Sequence, residues 1–255
     1  MFSALTRQIS PHFDECELTH LDRQPIDPAL ARAQHQQYEA ALRELGCEVI
    51  SLPAEAELPD SVFVEDVALV FDEVAIITRP GADSRQPEAE SIARALKPYR
   101  TLYTIEAPGT LDGGDVLRVG KTVYIGLSSR SNSAGVEQTQ KFLAPYGYTV
   151  QGVEVTGCLH LKSAVTQVSD DTLLINPAWI DRRIFGEMRF IEVDEAEPSA
   201  ANAVWIDGTV LYPSSFPKTQ RRLEEAGLRL KIVDATEVAK AEGAVTCCSL
   251  IFPAA

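Results

Sequence analysis

Long apolar runs are missing from this chain of 255 residues. No window approaches the roughly 20 apolar residues of a membrane-spanning helix, and the opening MFSALTRQISPHF is too mixed for a secretion signal. A cytoplasmic protein is expected. Basic side chains are also scarce, with 23 Lys and Arg against 37 Asp and Glu for a formal charge of −14. That balance argues against a nucleic-acid or anionic-membrane surface, since both need clustered cations, and it suits a cationic ligand better. The five cysteines (Cys16, Cys47, Cys158, Cys247 and Cys248) are odd in number and lack C-x-x-C spacing. Neither a disulfide framework nor a zinc knuckle is indicated, and reduced thiols are expected. No linker rich in Pro, Gly or Ser interrupts the chain, so residues 1–255 read as one domain.

What is present is a repeat. Helical periodicity marks residues 26–45, 86–96, 134–144, about 178–190 and 217–226. Each is followed by an extended segment: EVISL, TLYTI, YTVQGVEV, FIEV and LRLKIV. Between units lie hairpin-like pairs, VALVFDEVAIITR, DVLRVGKTVYIGL, SAVTQVSDDTLLINP and AVWIDGTVLYP. The α/β unit strand, turn, strand, helix, strand therefore occurs about five times, the last copy being completed by pairing VTCCSLIF with FSALTR from the other end of the chain. The polar residues that open the hairpins keep this period. Glu65 to Asp112 is 47 residues, Asp112 to His160 is 48, and His160 to Cys247 is 87, two steps with AANAV between them. Equivalent positions in a closed ring of blades face a common axis, so an acid, a histidine and a cysteine should meet in a central pocket.

Each residue has a plainer reading alone. A strand cysteine is usually a small buried hydrophobe, and the glycines of LDGGD could simply supply positive φ to a turn. Convergence favours an activated-cysteine site, in which a thiolate attacks and an imidazole moves the proton. The cluster Asp60, Glu65 and Asp66 opposes thiolate formation unless a cation intervenes, and a planar guanidinium, which two carboxylates can hold in bidentate fashion, would resolve the conflict. Arg85 and Arg130, 45 residues apart in matching places of adjacent units, form a pair suited to a carboxylate. Guanidinium at one end and carboxylate at the other describe an arginine derivative.

The ordered motifs PDSVFVEDVALV, ITRPGADSR, TLDGGDVL, GLSSRSN, LHLKS and VTCCSL resemble the dimethylarginine dimethylaminohydrolases of the guanidino-modifying (pentein) superfamily, from about residue 16 to 252. The resemblance implies a five-bladed α/β propeller of ββαβ units, and hydrolysis of methylated arginine to citrulline plus methylamine or dimethylamine. It implies no metal or other cofactor, a small-molecule substrate as the partner, and a monomer or homodimer as the assembly. By the same resemblance Cys247 is the nucleophile, His160 the acid and base, and Asp112 the guanidinium ligand that orients His160. Asp60, Glu65 and Asp66 become acidic substrate contacts, and Arg85 and Arg130 the grip on the α-carboxylate. Leu18 falls in a lid loop, and Ala241 offers a carbonyl near the α-amine. Strand alternation turns Cys248 away from Cys247 into packing. Arginine deiminases and amidinotransferases share the thiol chemistry but are longer chains, and non-catalytic ribosome-associated rings of the same shape have no use for Cys247, His160 and Asp112 together.

Overall fold

The structure, a computed structural model, describes residues 1–254. Its strands form five separate three-stranded sheets, each with one antiparallel and one parallel pairing. The first blade begins with β1 (Phe2–Arg7) and crosses over helix α1 (Pro28–Glu44) to the parallel β2 (Cys47–Leu52). The second holds β3 (Ala68–Val70), β4 (Val74–Ile77) and, after α2 (Glu88–Leu96), β5 (Thr101–Thr104). The third holds β6 (Val116–Val119), β7 (Thr122–Leu127), α3 (Ser133–Leu143) and β8 (Thr149–Glu154). A single turn, α4 (Leu161–Ala164), opens the fourth blade of β9 (Val165–Ser169), β10 (Thr172–Ile175) and β11 (Arg189–Glu192). The fifth contains β12 (Val204–Ile206), β13 (Thr209–Pro213), α5 (Pro217–Glu225) and β14 (Arg229–Val233). After α6 (Thr236–Lys240), β15 (Leu250–Pro253) returns to the first sheet, where Phe2 faces Pro253 and Leu5 faces Leu250. This is the five-bladed α/β propeller, closed by its two chain ends.

Local chemistry sets the crossovers. Asp27 caps α1 by accepting the Ala29 and Leu30 N–H groups, with Pro28 pre-set at the first helical position. Ala31, Tyr38, Ala41 and Leu42 then recur at helical spacing and are buried. The buried clusters bridge neighbouring blades; one joins Leu5 and Leu250 of the first sheet to Ala75 and Ile77 of the second and to Ile92 and Leu96 of α2, each large member worth about 1.5–3 kcal/mol of burial.

The helix expected at residues 178–190 is absent. That crossover has only a 3₁₀ turn, Arg182–Phe185, fixed at its start by Asp181 accepting the Arg183 N–H and ended by Gly186 at φ 64°. Four residues between such stops cannot propagate an α-helix. Buried Ile180 and Phe185 cover the sheet instead.

Candidate active site

Short turns precede the first strand of successive blades, and their residues line the axis. The 3₁₀ turn Val64–Val67 carries Glu65 and Asp66, Asp112 stands before the turn Gly113–Asp115, His160 before α4, and Cys247 in the turn before β15. The two glycines of LDGGD let these turns touch. A Cβ at Gly113 would lie 1.9 Å from the Glu65 carbonyl oxygen, and one at Gly114 would lie 2.5 Å from His160 Nδ1 and 2.9 Å from Asp66 Oδ1. Neither glycine has the positive φ that the plain reading of the motif supposes; close approach is the requirement. Gly114→Ala is accordingly expected to displace the imidazole and lower kcat about 10²-fold, with KM changed far less. Unaltered kcat in a folded Gly114→Ala protein would refute that assignment.

Cys247, His160, Asp66, Asp60, Arg85, Arg130 and Ala241 line one small cavity of about 20 Å³. A larger and mostly apolar cavity of about 220 Å³ lies beside it, bounded by His20, Leu21, Trp179 and Phe216, but the reactive groups converge on the smaller one. His160 Nε2 meets Asp112 Oδ2 at 3.2 Å, and Asp112 also accepts the Gly81 N–H at 2.9 Å. Burial opposes charge on His160, yet Asp66, the hydrogen bond to Asp112, and Asp115 raise it to about 9. Asp66 is held down to about 2: burial would raise it, but Arg85 and His160 prevail. Burial first, then Glu65 and Asp66, push the Cys247 thiol well above its ordinary range. The protein by itself therefore pairs a neutral thiol with an imidazolium across neutral pH.

Two of the expected contacts already have charged partners within the protein. Glu65 faces the floor, accepting from Lys162 and from the Thr246 hydroxyl at 2.7 Å, and it lines a separate cavity. Arg85 is already engaged: its guanidinium meets Asp66 at 2.6 Å, Glu88 at 2.8 Å and the Phe63 carbonyl at 3.2 Å. Arg130 is the more open fork, its one side-chain partner among the described residues being the Thr19 hydroxyl at 2.7 Å. Leu18 packs on the cluster that contains Phe63, Ala241 and Cys247. Cys248 does turn away, toward Tyr38 and Val238, but the pair lies in a turn and not in a strand, so alternation is not the cause.

Several contributors escaped the sequence reading. Asn202, in the AANAV segment, bonds the Lys162 carbonyl and the Thr246 hydroxyl and accepts the Thr246 N–H; its place in the repeat was the available signal. Glu242, a non-glycine at φ 57°, accepts the consecutive N–H groups of Thr19, His20 and Leu21 at 2.9, 2.5 and 2.6 Å. With Asp60 accepting the Glu17 N–H at 3.0 Å, it holds the 17–21 loop shut over the cavity. Asp66, Asp112 and His160 each bring one donor atom within 4.8 Å of the others, a spacing that could hold a cation, though a metal needs the neutral imidazole and these carboxylates favour the charged one.

A sequence model of eukaryotic N,N-dimethylarginine dimethylhydrolases matches residues 17–192. The N(G),N(G)-dimethylarginine dimethylaminohydrolase of Streptomyces coelicolor is 41% identical over 97% of this chain and 95% of its own. The chain belongs to the dimethylarginine dimethylaminohydrolase family. A structure of the Pseudomonas aeruginosa dimethylarginine dimethylaminohydrolase, a cysteine-to-serine variant complexed with citrulline, superposes with a TM-score of 0.95 at 34% identity, covering 99% of this chain and 100% of that one. Another dimethylarginine dimethylaminohydrolase, a histidine-to-glycine variant holding an adduct with S-methyl-L-thiocitrulline, superposes with a TM-score of 0.93 over 99% of this chain and 100% of that one, again at 34% identity.

Proposed function

We propose that this chain hydrolyses Nω-methylated arginine, asymmetric dimethylarginine or monomethylarginine, to citrulline and dimethylamine or methylamine. The observation that carries the reading is the one cavity that joins a thiol, an imidazolium and carboxylates to an available arginine fork. The substrate guanidinium lies beside Cys247 with Asp66 and Asp112 as its carboxylate partners. Its positive charge offsets the acids that keep the thiol protonated, so when substrate is bound the thiol releases its proton to solvent and the thiolate forms.

The thiolate adds to the guanidinium carbon. As the bond from that carbon to the methylated nitrogen breaks, the His160 imidazolium gives its proton to the leaving nitrogen, and neutral amine departs. An S-alkylthiouronium remains. Water then gives a proton to the now neutral His160 while its oxygen attacks the same carbon; the C–S bond breaks as the added hydroxyl releases its remaining proton to solvent, and neutral citrulline leaves with the thiolate restored. Asp60 and the Ala241 carbonyl take the α-ammonium, while Leu18 and its loop cover that end. The five unpaired thiols favour a reducing compartment, the cytoplasm.

Arg130 is assigned to the α-carboxylate, with Arg85 contributing charge and its remaining Nη1 hydrogen. Removing a charge-assisted contact costs about 1.5–3 kcal/mol, so Arg130→Ala should raise KM roughly ten- to more than a hundredfold for dimethylarginine. Citrulline and amine release measured with asymmetric dimethylarginine, monomethylarginine, arginine and agmatine tests the reading. Agmatine, which lacks the carboxylate, should be a poor substrate that Arg130→Ala barely worsens. Equal turnover of agmatine and dimethylarginine by the parent would remove the assignment.

A further inference from the structure

Asp115 takes no part in the bond making described above, yet it is fully buried at 0% exposure and reaches three parts of the site at once. Its Oδ2 accepts from the Ser128 and Ser131 hydroxyls, both at 2.6 Å, and its Oδ1 accepts the Leu161 N–H at 3.0 Å. Each partner hands the constraint on. The Ser131 hydroxyl accepts the Asp112 N–H at 3.0 Å, the Ser128 hydroxyl accepts the Arg130 N–H at 3.0 Å, and Leu161 follows His160 directly. Strand β7 yields space for this carboxylate, since a Cβ at Gly126 would stand 2.7 Å from Asp115 Oδ1.

We propose that Asp115 is the positioning residue of the site, a single carboxylate that fixes His160, Asp112 and Arg130 relative to one another. The inference rests on the roles assigned above to His160 and Arg130. Its reach across blades explains why a charged group is kept where an apolar one would fill the volume: only an acceptor with several lone pairs can satisfy two hydroxyls and a backbone N–H together. An amide in its place would aim N–H groups at Ser128, whose hydroxyl already accepts from both Arg130 and Ser131.

The branches can be separated by experiment. Ser131→Ala cuts the link to Asp112 and should lower kcat about tenfold with KM within about twofold, whereas Ser128→Ala cuts the link to Arg130 and should raise KM about tenfold with kcat nearly kept. Asp115→Asn should show both effects, and the alkaline limb of its pH profile should move down. His160 faces Asp66, Asp112 and Asp115, and the substitution removes one of those negative charges. Arg130→Ala and His160→Asn run beside them as controls; if those retain parental activity, the assigned roles fail and not the positioning. If Asp115→Asn does not fold, the two serine variants carry the test. A lower Tm with kcat and KM unchanged in the serine variants, or identical changes in both, would make Asp115 a purely structural residue and overturn the proposal.

Discussion

Cys247→Ser releases no measurable citrulline, a loss of at least about 10⁴-fold, while Cys248→Ser keeps most of the parental rate. The difference follows from what each sulfur faces. Cys247 lines the cavity with His160 and Asp66, whereas Cys248 lies 3.7 Å from the Ala244 carbonyl among packed side chains. A serine hydroxyl at position 247 has no route to an alkoxide near neutral pH, and its attack would lack the polarizable sulfur. The thiol itself is kept neutral by burial and then by Glu65 and Asp66, so iodoacetamide should label the empty enzyme slowly at neutral pH and faster as pH rises. An active Cys247→Ser protein, or a Cys247 already ionised below neutral pH without substrate, would defeat this account.

His160→Asn lowers the rate by about 10²–10⁴-fold and abolishes the alkaline limb of the pH profile. With its folded value raised to about 9, His160 is protonated at neutral pH and can protonate the departing amine; as pH rises through about 9 that acid is lost. Stability has the same sign. A group whose pKa rises on folding contributes stability that is fully present below its unfolded value and disappears as pH climbs through the folded one. The stability gap between parent and His160→Asn, measured by denaturant titration, should therefore narrow from pH 6.5 toward pH 9. A variant retaining both the rate and the limb would remove His160 from the chemistry.

The ring was legible because its signal is local and repeated. Glu65, Asp112, His160 and Cys247 each stand at the same point of a unit, just before an antiparallel pair of strands, and four of the five pairs are hairpins written in adjacent residues. Partners distant along the chain were not legible. Nothing near Arg85 in the chain announces that its guanidinium is taken up by Asp66, and nothing near Glu65 announces Lys162, 97 residues away. The crossover at 178–190 misled because its apolar residues do cover a sheet, but from a single 3₁₀ turn. Cys248 faces packing, but strand alternation is not the reason, as a turn replaces the strand there. Gly113 and Gly114 look like turn residues from the motif alone; the backbone and imidazole that crowd them belong to other blades.

The clasp over the cavity has an evolutionary meaning. Glu242 grips the main chain of residues 19–21 and none of their side chains. Any L-residue but proline carries the needed N–H, so Thr19, His20 and Leu21 can each be exchanged without undoing the closure that Glu242 provides, and the loop is free to diverge in sequence while remaining the same cover. Thr19 alone carries a second tie, through its hydroxyl to Arg130. Drift there would alter how much of that guanidinium an incoming carboxylate must win from the loop, so that a substitution in the cover would retune which amino acids are admitted.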